Sequence, residues 1–182
     1  MLNFTKLLCV FMLAGLVLSG CKDKEEVDPA DTVSYDGKSY DLAKGFMLDY
    51  GQLGTGQGHN IDLYLASSEI IIHEKAGMPD STSGKGQLIF FEMFSSVPNS
   101  LAPGTYNFDA LQSAVASTFD FGETLFNANY QTGTGEIYRI VSGKVIVEKN
   151  KDIYTITFEC VDYLGKPIKG FYKGALKYYD AR

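Results

Sequence analysis

The chain has 182 residues, with 22 acidic side chains against 16 basic ones and a formal charge of −6. An acidic chain without a basic cluster is a poor partner for nucleic acid, whose affinity rests on neutralising phosphates. Two of the three cysteines, Cys9 and Cys21, fall in the N-terminal segment. Only Cys160 lies in the main body of the chain, which excludes an intramolecular disulfide framework there.

In chain order, Lys6 comes first, then an apolar stretch from Leu7 to Leu18, then small residues, and these are the three parts of an export signal. The apolar stretch is too short for a helix that must span a bilayer with ~20 residues. "LSGC", Leu18 to Cys21, resembles the lipobox of bacterial lipoproteins. That resemblance implies diacylation of the Cys21 sulfur with palmitate-type chains, cleavage before Cys21 and acylation of the new amino terminus. A thiolate is the strongest nucleophile among ordinary side chains. Each buried methylene of an attached chain contributes ~0.8 kcal/mol, so two or three chains anchor a protein durably.

Residues 1–20 are therefore expected to be a lipoprotein signal peptide, 21–32 a lipidated cysteine with a charged tether, and 33–182 a single β domain. The tether sequence "KDKEEVDPADT" has charge, a proline and no large apolar residue, a composition that stays solvated. Fully extended it reaches ~35 Å. Its acidic start resembles the export signal of Bacteroidota surface lipoproteins, which implies an outer-membrane anchor with display at the cell surface, the periplasmic face being the alternative. The membrane, reached through the lipid, is then the first expected partner.

From Val33 onward the dominant period is two, and Gly and Asp punctuate short runs, as in antiparallel strands. Asp36-Gly37 in "VSYDGKSYDL" predicts a tight type I′ hairpin, because both residues accept positive φ. "GFMLDYGQ" and "NIDLYLAS" read as the next strands, the second with Ile61, Leu63 and Leu65 inward and Asp62, Tyr64 and Ala66 outward; glycine-rich "GQLGTGQGHN" between them reads as a loop. That loop carries no Gly-Lys-Ser/Thr and opens no helix, so it is no phosphate cradle. "EIIIHE" extends the sheet, and "EKAGMPDSTSGKG" reads as a second exposed loop. "GQLIFFEMFSS" is apolar on both faces, which predicts a strand covered on both sides. After the turn and strand of "LAPGTYNFD", "DALQSAVAS" is the one predicted short helix, with Asp109 as its cap and Gln112 three residues on.

The C-terminal third predicts a meander of three long strands with turns at "EKNKD" and "DYLGK". Its middle strand points Tyr154, Ile156, Phe158 and Cys160 inward. Gly170 and Gly174 share a face of the last strand with Ile168, Tyr172, Leu176 and Tyr178, and glycines there mark sharp curvature or a close approach. The fold expected is all-β: an antiparallel meander forming a barrel or strongly coiled sandwich of about eight to ten strands. "YDGKSYDLAKG", "LAPGTYNFD", "VSGKVIVEKNKDIYTITFECVD" and "GKPIKGFYKGAL" together resemble the small β-rich lipoproteins of Bacteroidota, some of them calycin-like. The resemblance implies fold and location and brings no catalytic residue. Because the chain has no tryptophan, the Gly-x-Trp of lipocalins is absent.

For chemistry, His59 with Asp62 and His73 with Glu74 are the only histidine–carboxylate groupings, and neither spacing supplies the three or four convergent ligands of a zinc site. No metal or cofactor is expected. A Gly-x-Ser-x-Gly elbow is missing too, and no enzyme activity is expected. Glu92 is the acid of most interest, since a carboxylate among Leu88, Phe90 and Phe94 has its pKa raised; a pairing with Lys or Tyr is the alternative. Twelve Tyr and twelve Phe favour an aromatic contact surface. The candidate ligand-binding residues are Tyr50, Tyr64, Glu92, Tyr130, Tyr138 and Tyr163. The expected role is a binding or accessory module for a small molecule or glycan, with an assembly partner in a surface complex as the alternative and a glycoside hydrolase acting through Glu92 as a third reading.

Overall fold

A computed structural model describes residues 28–182; the signal segment, Cys21 and the first part of the tether lie outside the described residues. The alternation read from the sequence becomes eleven strands. They are β1 (Thr32–Tyr35), β2 (Lys38–Asp41), β3 (Lys44–Gln52), β4 (His59–Ala66), β5 (Ile70–Lys75), β6 (Met78–Ser95), β7 (Gly104–Phe108), β8 (Thr118–Asn129), β9 (Thr134–Asn150), β10 (Ile153–Asp162) and β11 (Pro167–Asp180). Eight of them close a barrel in the order β3-β4-β6-β8-β7-β9-β10-β11, with β11 returning to β3. Most neighbours are antiparallel, but the β11–β3 closure and the short β7–β8 contact are parallel. The remaining strands are added to this ring: β1 pairs with β11 and β2 with β1, while β5 pairs with β6. β1 already includes Thr32, and Asp31 accepts a hydrogen bond from the Lys173 N–H, so the end of the expected tether is pinned to β11.

The β1–β2 turn is the predicted one: Asp36 and Gly37 have φ of 50° and 75°. This hairpin carries Tyr35 and Tyr40 onto Phe126 of β8, with ring centroids 5.2 and 4.7 Å apart, so it packs across one end of the barrel. The interior is filled along its length by alternate residues such as Ile61, Leu63, Leu65, Ile89, Phe91, Met93, Phe119, Ile140, Ile156 and Phe158. Eight strands give a barrel whose bore is just wide enough for side chains to fill or for one small ligand. Here side chains take that space. The inward assignment of Tyr154, Ile156, Phe158 and Cys160 holds. Burial pushes the Cys160 thiol up to about 12, and its Sγ–H faces the Lys144 carbonyl at 3.8 Å, so it serves as a protonated filler.

The paired glycines of β11 make room for rings. Gly170 and Gly174 lie directly opposite Phe158 and Tyr154. A Cβ at Gly170 would overlap the Phe158 ring, and one at Gly174 would meet the Tyr172 phenol. An aromatic side chain lying over a cross-strand glycine is a recurrent device for curving a barrel strand.

Two local expectations fail. "DALQSAVAS" forms no helix: residues 109–117 are an irregular loop in which Gln112, Ala114 and Ser117 all have positive φ. Asp109 does cap, accepting from the N–H groups of Leu111 and Ser113 and from the Ser113 hydroxyl, but what it closes is a turn. A segment this short is marginal as a helix. Its backbone groups are used elsewhere, the Ala114 carbonyl by Gly58 N–H and the Ser117 N–H by the Phe94 carbonyl. The second correction concerns "EKAGMPDSTSGKG", read as a loop. Only Ala76-Gly77 turns there, with φ of 52° and 82°, and Met78 to Gly84 continue as the first half of β6, paired with β5. The turn-forming Ser, Thr and Asp residues sit on an exposed two-stranded arm, where polar side chains suit solvated faces.

Candidate functional site

Strand alternation that fills the bore also sends a second set of side chains outward, and the outer face of β11, β3, β4, β6 and β8 is unusual. A row of rings crosses it: Tyr179 edge-on to Phe46, Phe46 stacked on Tyr64 at 4.7 Å, Tyr64 stacked on Phe90 at 4.8 Å, and Phe90 tilted against Phe121 at 5.7 Å. Lys177 lies over Tyr179 at one end and Arg139 over Phe121 at the other. Cross-strand aromatic pairs of this kind stabilise a sheet. Because the central rings stack face to face along the row, their faces are used on each other. This explains how Leu88 and Phe90 can point outward on a strand that reads as buried on both sides: both are half-buried.

Beside this row lies an acidic cluster. Asp62 of β4 is directly opposite Glu92 of β6, and the Asn60 amide donates from Nδ2 to Glu92 Oε1 at 2.8 Å. Two β-bulges complete the group. The β3–β4 register skips between Asp49 and Gly51, leaving Tyr50 as the extra residue, and the β6–β8 register skips between Glu92 and Met93, leaving Asp120 extra on β8. Bulges re-aim side chains and recur next to active sites. Tyr50, Leu53, Asn60, Asp62 and Glu92 line a pocket of about 280 Å³ on this outer face.

The electrostatics follow from like charges sharing a partly dry surface. Burial, then the Glu92 charge, raises Asp62 to about 7, against a weaker opposing hydrogen bond from the Tyr64 hydroxyl at 3.4 Å. The same two causes, followed by Asp109, raise Asp120 to about 6. The Tyr50 and Tyr64 phenols are pushed up by burial and by Asp62. Among the described residues, no ion pair includes Asp62, Glu92 or Asp120. The Asn60 Oδ1 is buried and has no hydrogen-bond partner.

The raised Asp62 has a consequence for stability. Its folded-state pKa of about 7 exceeds the ordinary value of about 3.9, so the folded chain holds this proton more tightly than the unfolded one. The contribution is fully present below about pH 3.9 and lost as pH rises through about 7, on the order of 1.4 kcal/mol per unit of difference. Asp62→Asn is therefore expected to melt higher than the parent at pH 8 and to show no advantage at pH 4, in thermal unfolding followed by circular dichroism. A lower melting temperature for the variant at pH 8 would mean that the carboxylate is stabilising.

Of the residues singled out from the sequence, Tyr50, Tyr64 and Glu92 converge here. Glu92 has an amide partner where a Lys or Tyr was expected. Tyr138 and Tyr163 stack on each other with centroids 6.5 Å apart at the opposite end of the barrel, where Tyr138 also tilts against Tyr35. Tyr130 sits apart from both groups, in a groove with Leu125, Ala128 and Ile137. The six thus fall into three places. Sequence reading missed Asn60, Asp62 and Asp120 as site residues: Asp62 looked like an ordinary solvent-facing position, and only the β4–β6 register sets it against Glu92.

His73 faces the Ser83 hydroxyl at 2.7 Å, and His59 lies opposite Ser95. Among the described residues, no group of three His, Cys, Asp or Glu side chains is placed to hold a metal ion. Comparison of the chain with protein-family models, with curated proteins and with solved structures found no match.

Proposed function

We propose that this protein is a lipid-anchored, non-catalytic binding or accessory module, held at the outer membrane through Cys21, and that it takes a small molecule or glycan in the outer-face pocket. The observation that carries the reading is the convergence of Tyr50, Asn60, Asp62 and Glu92 on one concavity with hydrogen-bonding capacity left over, the buried Asn60 Oδ1 above all. Unsatisfied buried polar groups are rare in folded proteins and call for an explanation. A bore filled by side chains favours this site over the barrel interior.

The anchor and the pocket are tested separately. Cys21→Ser in the full chain is expected to lose label from radioactive palmitate and to leave the membrane fraction. An unlabelled parent would remove the anchor from the proposal, and protease shaving of intact cells distinguishes surface display from the periplasmic face. For the pocket, the mature chain and its Glu92→Gln variant are compared on a glycan array: binding by the parent that falls at least tenfold in the variant is expected. Bound glycans recovered shortened would transfer the site to the glycoside hydrolase reading.

The alternative, a partner in a surface assembly, draws on a different face. Ile137, Val141, Tyr163 and Leu164 are exposed apolar side chains on β9 and the turn after β10, brought together by the Tyr163 N–H to Arg139 carbonyl hydrogen bond. Apolar patches on a surface mark interaction sites when they are large and contiguous. Crosslinking on intact cells that leaves the protein a lone monomer would count against that role.

A further inference from the structure

We propose that the group recognised by the outer-face pocket is an organic cation, an ammonium or guanidinium on a short stem. This inference rests on the assignment of that pocket as the ligand site and names the chemistry it selects. The acceptors that line the pocket come from two strands, Asn60 and Asp62 on β4 and Glu92 on β6. Asp62 and Glu92 are direct cross-strand neighbours, an arrangement that is destabilising for like charges and is relieved either by the proton that Asp62 holds up to about pH 7 or by a cation between the two. No lysine, arginine or histidine lines the pocket to play that part.

The amide strengthens the case. Asn60 is only 6% exposed, and its Nδ2 is already committed to Glu92, so its Oδ1 is left pointing to no donor. An ammonium has three donors and a guanidinium five, with no acceptor to clash with the carboxylates. A single such group between Asp62 and Glu92 would bridge both carboxylates, with the Asn60 amide as the neighbouring acceptor. A neutral hydroxyl could supply one donor but would leave the charges unbalanced. A bare divalent ion would need oxygens converging at about 2.0 to 2.6 Å, and among the described residues no such group of three is present. The rest of the wall suits the stem: Tyr50 offers a ring, which attracts cations, and Leu53 an apolar surface. At about 280 Å³ the pocket is just below the size of a site that swallows a drug-sized ligand, so it holds one group of a molecule rather than the whole.

The test is isothermal titration of the full mature chain with a glucosamine trimer, its fully N-acetylated counterpart and agmatine. Saturable binding of the glucosamine trimer or of agmatine, at least tenfold tighter than the acetylated trimer, is the expected result, and which of the two binds separates an amino-sugar source from a guanidinium source. Glu92→Gln and Asp62→Asn should each weaken that binding at least tenfold, while Asp180→Asn, which removes a surface charge paired with Arg182, should leave it unchanged. Both pocket variants relieve like-charge repulsion, so a folded protein is expected, checked by its melting curve. Equal weakening by Asp180→Asn would reduce the effect to net charge and overturn the proposal. Binding of the acetylated trimer as tightly as the free amine, still lost in Glu92→Gln, would overturn the cation while keeping the pocket as the ligand site. Binding untouched by either pocket variant would overturn both.

Discussion

Phe91→Ala is expected to lower the stability of the barrel by about 3 to 5 kcal/mol, the range for truncating a fully buried aromatic. Phe91 lies on β6 with no exposed surface, and its ring is edge-on to Phe119 at 5.4 Å and to Phe158 at 5.3 Å, so it joins strands from opposite sides of the bore. Directly across β8 stands Gly122, which has no side chain to relax into the vacated space. The loss would therefore combine transfer and cavity terms with little collapse to offset them. Urea unfolding of the parent and the variant measures it through the midpoint at constant slope. Phe91→Leu, which keeps most of the volume, should recover more than half. A loss below about 1.5 kcal/mol would mean that the bore is loosely packed, and would reopen the barrel interior as a place for a ligand.

That expectation was partly readable from the chain itself. The alternation in "NIDLYLAS", the Asp36-Gly37 turn and the three-strand C-terminal meander all state inward and outward faces locally, and each appears as read. The glycine pair in β11 also gave its sign of curvature, although that Phe158 fills the space over Gly170 depends on the β10–β11 register. The acidic site was legible only in pieces. Tyr50 and Glu92 stood out by composition, yet both Tyr50 and Asp120 reach the site because a bulge adds one residue to their strand, and no local pattern announces a bulge. The false helix at 109–117 has the same origin. Its capping aspartate is real, but the hydrogen bonds that hold the rest of the segment come from the Gly58 N–H and the Phe94 carbonyl, distant in sequence. Local signals decide faces and turns here, while pairing across the barrel decides what the outer surface can do.

At the end of the barrel opposite the pocket, Asp162 should prove the most costly polar residue to remove. It is 1% exposed, accepts from the Tyr35 hydroxyl at 2.6 Å through Oδ2, and from the N–H groups of Leu164 and Lys166 at 2.9 and 2.8 Å through Oδ1. One carboxylate thus closes the β10–β11 turn and ties it to β1. Burial, and then the Asp162 carboxylate, push the Tyr35 phenol well above its ordinary range, so it stays a donor at every working pH. Asp162→Ala leaves a buried hydroxyl and two turn N–H groups unpaired. Hydrogen bonds to charged groups are individually worth ~1.5 to 3 kcal/mol, and the stranded donors add desolvation cost, so a loss on the order of 3 kcal/mol or more is expected. Tyr35→Phe should cost less, about 1 to 2 kcal/mol, because Asp162 keeps its two backbone donors. In the double-mutant cycle the two losses should fall short of additive, as they do for residues sharing one hydrogen bond. Additive losses would show that Asp162 supports the turn alone, with the tyrosine held by its stacking on Phe126 and Tyr138.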